Sequence, residues 1–469
     1  MNFGHAAFEA GDARRPALVR RGWWSSPRRA YSAEVKHILI VNQHGENRGD
    51  EAAMNAMLSR FEQELGNVRF TLLYQFRDKS LRLKFKQQVT DLPIVLPPGD
   101  YLRAAFFSLA DLSKLDLRMI LTPTMRQIIE AYESADMVVS APGGPYFGDI
   151  YANHELVHWW YIWLGHRFGK PLFLYAPSAG PFQNALLNPI RRRMYRLFDV
   201  LVTREEISQR NLHRLLGKDT LVHVTADSAI QSSVPAASRS DHFAGERAHL
   251  ASKFLVAVSL NDYKYPGETR PNELREQYNR AMLTLLHHLH GRRDCHFLLL
   301  PQLHGKVHSD VPFLQAMAQR LDKGVSWELI DPAFDSDQQR ALFAMCDFHV
   351  ASRYHPAIFG HTGLTPGICI YYEHKALGFM AQLGLERYAF DIRRPDASAL
   401  CRAADDILQN HGNIVQHLEQ RVPELRQRAR RSTELAVELL RRHDRASTAQ
   451  PRQKAGGDAL EAKAAGPLG

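Results

Sequence analysis

"KHILIVNQHGENRGDEAAMNAMLSRFEQEL" runs from Lys36 to Leu65. Its first eight residues are a short apolar run with β-branched members. A loop rich in Gly and Asn follows, and then a stretch with helical spacing of apolar residues. Strand, loop and helix are therefore expected in that order. The unit recurs. "DMVVSAPGG" (136–144) precedes a loop, "PLFLYAPSAGPF" (171–182) precedes "NALLNPIRRRMYRLF" (184–198), and "DVLVTREEISQRNLHRLLG" spans 199–217. Strands alternating with helices predict a parallel, doubly wound sheet. Strands that are apolar throughout predict cover on both faces.

The pattern breaks at 229–250, "AIQSSVPAASRSDHFAGERAHL", which reads as a linker. It then restarts with "FLVAVSL", "HFLLLPQ", "DFHVAS" and "GICIYY" as strands and "LREQYNRAMLTLLHHLHG" as a helix. The expected fold class is α/β: two Rossmann-like doubly wound domains, over 36–228 and 251–405, facing a cleft. A helix over 406–443 closes them. Residues 1–35 read as a basic leader and 444–469 as a disordered tail. Ligands in such folds sit beyond the carboxyl ends of the strands.

The chain has 469 residues and a net charge of +9. Its ends carry most of that charge: residues 1–35 contribute +3 and residues 421–469 contribute +5. Basic ends of this kind point to solvated tails or weak attraction to an anionic membrane surface, and away from a nucleic-acid groove. Cys295, Cys346, Cys369 and Cys401 are widely spaced and form no CxxC, so buried thiols in a reducing cytoplasm are expected. No run reaches the roughly 18 apolar residues of a membrane span. No histidine spacing marks a metal site. In "HELVHWWYIWLGHRFGK" (154–170), Leu156, Trp160, Trp163 and Leu164 fall on one helical face and read as core.

Three loops have the makings of an anion site. In "NQHGENRGDEAAM", Gly45 and Gly49 lead from strand to helix and Asp50 stands as N-cap. In "SAPGGPYFGDIY", Gly143 and Gly144 allow close backbone approach and Asp149 can take a hydroxyl proton. In "VASRYHPAIFGHTGLTPGICIYYEHK" (350–375), Ser352 can cap a helix whose first turn carries Arg353, Tyr354, His355 and Pro356. The next strand ends on Glu373, His374 and Lys375. Two neighbouring strand ends thus bring a guanidinium, an imidazole and an ammonium to one cleft edge. Arg suits a two-oxygen anion, and His donates a proton near neutral pH. "PQLHGKVHSD" (301–310) can reach the same cleft through Gln302 and His304.

At these residues the chain resembles the polysaccharide pyruvyl transferase family, most of all its colanic-acid branch. The matching pieces occur in order: "NRGDEA" (47–52), "GGPYFGDIY" (143–151), "SAGPF" (178–182), "TREEIS" (203–208), "AD" (226–227), "SRYH" (352–355) and "YEHKALGFMAQLGL" (372–385). The resemblance covers roughly residues 36–400. It implies a two-domain fold like that of GT-B glycosyltransferases. It also implies transfer of pyruvate from phosphoenolpyruvate to two hydroxyls of one sugar, as a cyclic ketal, with no cofactor.

Carried over residue by residue, Arg353 clamps phosphate or carboxylate, and His355 is clamp and acid. Lys375 is a second cation and Arg204, by analogy, a third. Asp50 and Asp149 are both candidates for the base. The implied acceptor is a lipid-linked saccharide, met at the inner face of the plasma membrane. Three departures stand out. Pro145 replaces a third glycine, Tyr354 replaces Leu, and Asn261 stands where many members have Arg, with Lys264 nearby as a substitute. The alternatives are a GT-B-type glycosyltransferase using a nucleotide sugar, which would share the fold, and a non-catalytic assembly protein.

Overall fold

The computed structural model describes residues 35–44, 47–75, 85–93, 99–100, 102–104, 107, 118–143, 147–303, 305 and 308–449. Of the sequence features above, residues 1–34 of the leader, Gly45, Gly144, Pro145, His304 and residues 450–469 of the tail lie outside these.

Two parallel sheets are present. The first holds β1 (Lys36–His44), β2 (Val68–Gln75), β3 (Val89–Pro93), β4 (Met137–Ser140), β5 (Leu172–Leu174), β6 (Val200–Thr203) and β7 (Val222–Val224), ordered β3-β2-β1-β4-β5-β6-β7. The second holds β8 (Phe254–Ser259), β9 (Cys295–Leu299), β10 (Ser326–Leu329), β11 (Phe348–Ala351), β12 (Gly367–Tyr371) and β13 (Ala389–Asp391), ordered β10-β9-β8-β11-β12-β13. The strand order reverses between β1 and β4 in the first sheet and between β8 and β11 in the second. Those reversals open the crevices where such sheets bind ligands.

The apolar strands are covered on both faces. In β1, Leu39 and Val41 face one core cluster with Tyr132, Trp159 and Ile162. Ile38 and Ile40 face another, with Met54, Met57 and Phe61. The period-two geometry of a strand splits them this way.

The predicted closing helix proves to be two. Asn410 ends a helix at Ala397–Gln409 that packs through Leu400, Ala404 and Ile407 on the second domain. A helix of 39 residues, His411–Ala449, then crosses the molecule. Its first half buries Ile414, Leu418, Val422 and Leu425 against the second domain. Its last third buries Leu435, Ala436, Val437, Leu439 and Leu440 against the first. Six of the residues read as tail, 444–449, belong to it.

The Trp-rich helix, Ala152–Arg167, is rotated from the expected phase. Leu164 is buried as expected and Trp160 and Trp163 pack half-buried on the same core, but Trp159, Tyr161 and Ile162 are buried as well, while Leu156 is 67% exposed. The sequence is apolar almost all round here, so its own periodicity is too weak to choose a face.

Candidate active site

The "NRGDEA" loop forms the seam between the domains. Asn47, and not Asp50, caps the helix Arg48–Leu65 by accepting from the Gly49 N–H at 2.7 Å. Asn47 also forms a β-bridge with Leu303 of the second domain, and the Arg48 N–H donates to the Gln302 carbonyl at 3.3 Å. The Arg48 guanidinium bonds Glu51 at 2.6 Å and the Pro332 carbonyl at 2.9 Å. Glu51 in turn accepts from the Ser336 N–H at 3.0 Å. Ala52 and Ala53 lie in the core cluster of the second domain. The first turn of this helix is therefore sunk into the opposite domain, and Asp50 is carried into the interior with it.

From the other side, the "SRYH" turn follows β11. The helix Tyr354–Thr362 has Arg353 at its N-cap without a side-chain cap. Ser352 does not cap it; its hydroxyl accepts from the Tyr278 phenol at 2.7 Å. Gly49 and His355 meet across the seam. A Cβ built on Gly49 would lie 1.9 Å from Cγ and Nδ1 of His355. Only glycine allows this approach. Gly49→Ala is accordingly expected to cost about 1–3 kcal/mol through overpacking and to displace the imidazole. Thermal melts together with turnover check this, and a variant with wild-type values for both would show that the ring moves aside freely.

Arg204, just past β6, is fully buried. Its Nε donates to Ser178 Oγ at 2.8 Å and one terminal nitrogen donates to Asp227 at 2.6 Å. Its other terminal nitrogen is buried with no hydrogen-bond partner. The guanidinium lies 4.4 Å from the centroid of the Tyr354 ring, and Lys375 Nζ lies 5.8 Å from the same centroid. The bulky Tyr354 thus forms an aromatic wall shared by two cations. Lys375 pairs with Glu373 at 2.7 Å, and Arg353 pairs with Asp310. His355 Nε2 stands 3.9 Å from Asp227 and has no hydrogen-bond partner. His374 Nε2 stands 3.6 Å from Glu205 and 3.4 Å from the Ser208 hydroxyl.

Burial and charge set the protonation states. Burial pushes the Asp50 carboxyl up to about 7 against the pull of Lys375 and Arg204. Burial pushes His355 down to about 3; Asp227 opposes this, while Arg204 and Lys375 add to it. Burial would raise Asp227 too, but Arg204, His355 and the Ala229 N–H outweigh it and hold Asp227 below the usual carboxylate range. Burial works against the charges on Lys375 and Arg353, yet Glu373 and Asp310 respectively keep both raised and cationic. Burial lowers His374 against the pull of Glu205 and Glu373. At neutral pH Arg204 and Lys375, with Arg353 on the flank, are therefore cations, Asp227 is ionised, the His355 imidazole is neutral and the Asp50 carboxyl is close to half-ionised.

Asp50, Gly49, Arg204, His355, Glu373, His374 and Lys375 thus gather in one region, with Arg353 on its flank beside Tyr372, which senses both Lys375 and Arg353. Asp149 is drawn elsewhere. Its oxygens accept from Arg191 at 2.6 Å and from the N–H groups of Gln183 and Asn184, and Arg191 also grips Glu155 at 2.9 Å. These contacts make Asp149 a buckle between loops. Gly143 accepts through its carbonyl from the N–H of Ser178, the residue whose hydroxyl holds Arg204, at 3.4 Å. Gln302 turns its side chain to Gln339, and Lys264 is exposed and paired with Asp262, so it does not replace the missing Arg at Asn261.

Three members were not singled out from their residue types: Asp227, Asp310 and Ser178. Asp227 had a signal, the "AD" dipeptide after a strand. Asp310 had none, because its role comes from Arg353, 43 residues on. Among the described residues, no group of His, Cys, Asp and Glu could hold a metal ion.

Comparison with known proteins gives the family. The family model for polysaccharide pyruvyl transferase matches residues 47–374. The chain belongs to the polysaccharide pyruvyl transferase family, enzymes of polysaccharide modification. The amylovoran biosynthesis protein AmsJ of Erwinia amylovora is 22% identical over 409 residues, covering 84% of this chain and 96% of AmsJ. Among solved structures, Alr3699/HepE of Anabaena in complex with UDP and glucose matches with a TM-score of 0.53 at 14% identity, over 87% of this chain and 100% of that one. MnaA of S. aureus in its UDP co-structure matches with a TM-score of 0.53 at 13% identity, over 89% and 99%. These likenesses show the fold, two Rossmann-like domains of GT-B type. Among the described residues, no helix is long and apolar enough to cross a membrane.

Proposed function

We propose that this protein transfers pyruvate from phosphoenolpyruvate to a sugar of a cell-surface polysaccharide, or of its lipid-linked repeat unit, leaving a cyclic ketal. One observation carries the reading. Two proton-carrying groups of different acidity, Asp50 and His355, share a buried centre with Arg204 and Lys375. A donor with a phosphate and a carboxylate needs such cations, and ketal formation needs a proton delivered and a proton removed.

The reaction balances without a cofactor. The methylene carbon takes a proton from His355, which the donor's charge has first protonated. One sugar hydroxyl bonds to the former enol carbon and gives up its proton to Asp50. The second hydroxyl adds as the bond to the phosphate oxygen breaks, and its proton leaves with hydrogen phosphate. Arg204 and Lys375 face the charge that grows on the leaving group. Arg353, held by Asp310, lies on the flank where the carboxylate fits. The relation to AmsJ, an exopolysaccharide biosynthesis protein, supports a polysaccharide acceptor.

The test is phosphate release from phosphoenolpyruvate with saccharide acceptors, with nucleotide sugars run in parallel. Release of nucleoside diphosphate, and none of phosphate, would sink the proposal in favour of glycosyl transfer. Arg353→Lys separates charge from geometry. The planar fork of Arg makes two parallel bonds that an ammonium cannot, and in Arg353 one terminal nitrogen is taken by Asp310 while the Nε has no partner. Donor KM should rise and turnover should fall, about tenfold or more in kcat/KM. Wild-type values for both parameters would remove Arg353 from the donor site.

A further inference from the structure

A second pocket lies away from this centre. It has a volume of about 580 Å³ and draws on both domains. The helix Arg48–Leu65 supplies Ala56, Ser59, Arg60 and Gln63. Residues 231–235, which connect the domains, supply Gln231, Ser232, Ser233 and Pro235. Arg340 comes from the second-domain helix Ser336–Met345, and Arg426 and Arg430 come from the long C-terminal helix. Ala56 and Gln63 follow Asp50 by 6 and 13 residues on one helix, so they stand about 9–20 Å along it from the catalytic centre.

Cations dominate its wall. Among the described residues, Arg60, Lys86, Arg340, Arg426 and Arg430 face a single lining carboxylate, Asp337. Asp337 is shared by Lys86 and Arg340, the latter at 3.2 Å. Arg60 is met from outside the lining by Glu64 at 2.5 Å and Glu434 at 3.8 Å. Arg340 is nearly inaccessible, with 3% of its side chain exposed. One of its terminal nitrogens donates to the carbonyls of Ser232 and Ser233 at 2.8 and 3.1 Å, while its buried Nε has no partner. Arg426 donates to the Ile230 carbonyl at 3.3 Å. It stands one helical turn from Arg430, a spacing at which like charges repel, and burial and Arg430 together lower its pKa. Arg430 is exposed and has no carboxylate partner among the described residues. Arg426 and Arg430 are thus the two lining cations with no carboxylate partner among the described residues.

The other lining groups narrow the ligand. Among the described residues they are hydroxyls and carboxamides with two small apolar residues, and no aromatic ring on which a nucleobase could stack. A phosphate monoester carries about −1.5 to −2 charges near neutrality, and forked Arg side chains bind it in two-point fashion. We propose that this pocket binds a phosphorylated sugar, its phosphate held by Arg340, Arg426 and Arg430 and its hydroxyls by Gln63 and Ser59. The ligand would touch both domains and the segment between them, so its binding favours the closed arrangement in which Gly49 meets His355.

Calorimetric titration of the full chain with glucose 1-phosphate, inorganic phosphate and glucose tests this. Saturable binding of glucose 1-phosphate is expected, with inorganic phosphate weaker by about tenfold, one lost set of hydroxyl contacts, and no binding of glucose. Arg430→Ala, at an exposed position, should melt as the wild type does and bind glucose 1-phosphate at least about tenfold more weakly. Four outcomes overturn the proposal. They are no saturable binding of glucose 1-phosphate, equal affinity for inorganic phosphate, unchanged affinity in Arg430→Ala, and loss of binding in Arg353→Ala with none in Arg430→Ala. The last would place the ligand in the catalytic centre.

Discussion

Turnover of His355→Gln should fall by about 10²–10⁴-fold, the usual worth of a general acid, with donor affinity changing much less. In the ligand-free protein the imidazole is neutral, because burial, Arg204 and Lys375 together push it down to about 3. Bringing it near neutrality takes about 4 units of pH, or about 5 kcal/mol at 1.36 kcal/mol each. One negative charge about 4 Å away supplies about 4 kcal/mol at an effective dielectric constant of 20. A donor with a phosphate and a carboxylate supplies that and more, so His355 gains its proton with the donor. Glutamine keeps a hydrogen-bonding tip and cannot deliver a proton. In deuterated water, wild type should place deuterium in the methyl group of the ketal, and the variant should do so far more slowly. Near-normal turnover in His355→Gln would make it a clamp, and the acid would then be Asp50, which burial leaves half-protonated near pH 7.

Asp50→Asn is the second large effect, and it has two readouts. As the base, Asp50 should take turnover down by about 10²–10⁴-fold when replaced. The wild-type rate should rise with pH through about 7 as the carboxyl ionises. Stability moves the other way. The folded carboxyl, raised from 3.8 to about 7, holds its proton where the unfolded chain has released it. Folding is therefore weakened as pH climbs from 3.8 to 7, by about 4 kcal/mol once complete. Asparagine has no such cost. Its stability relative to wild type should improve by about 2–3 kcal/mol between pH 5 and pH 8.5. Denaturant unfolding at the two pH values measures this. An equal difference at both would mean that Asp50 is ionised throughout and is not the poised base.

Much of the fold was legible because each strand announces itself locally. Ile38 to Val41 are apolar without alternation, and only a sheet covered on both faces can bury all four. The loops after β1, β11 and β12 were legible for the same kind of reason. Gly, Asn and charged residues follow an apolar run directly, and a parallel sheet sends every such end to one side. Helix phase was less legible. Ala152–Arg167 is too apolar to prefer a face, and its burial of Trp159 over Leu156 was set by the elements around it. Capping was read one turn off at Asp50, since Asn47 satisfied the helix end first and left Asp50 free for the interior.

The sequence by itself determined two doubly wound domains, the strand ends that carry Asp50, Arg204, Arg353, His355 and Lys375, and the family to which they belong. It did not separate Asp50 from Asp149. Both follow a glycine in a loop beyond a strand, and local chemistry treats them alike. Tertiary structure gave them different surroundings. The Asn47–Leu303 bridge draws Asp50 out of water, and that burial raises its pKa against the pull of Lys375 and Arg204. Arg191, brought close by its own helix 42 residues later, neutralises Asp149 in place. Asp227 and Asp310 entered the site in the same way. A carboxylate's character depends on which charges lie within a few ångströms and on how much water is excluded. Both are properties of how the two domains meet, and no neighbouring residue in the chain records them.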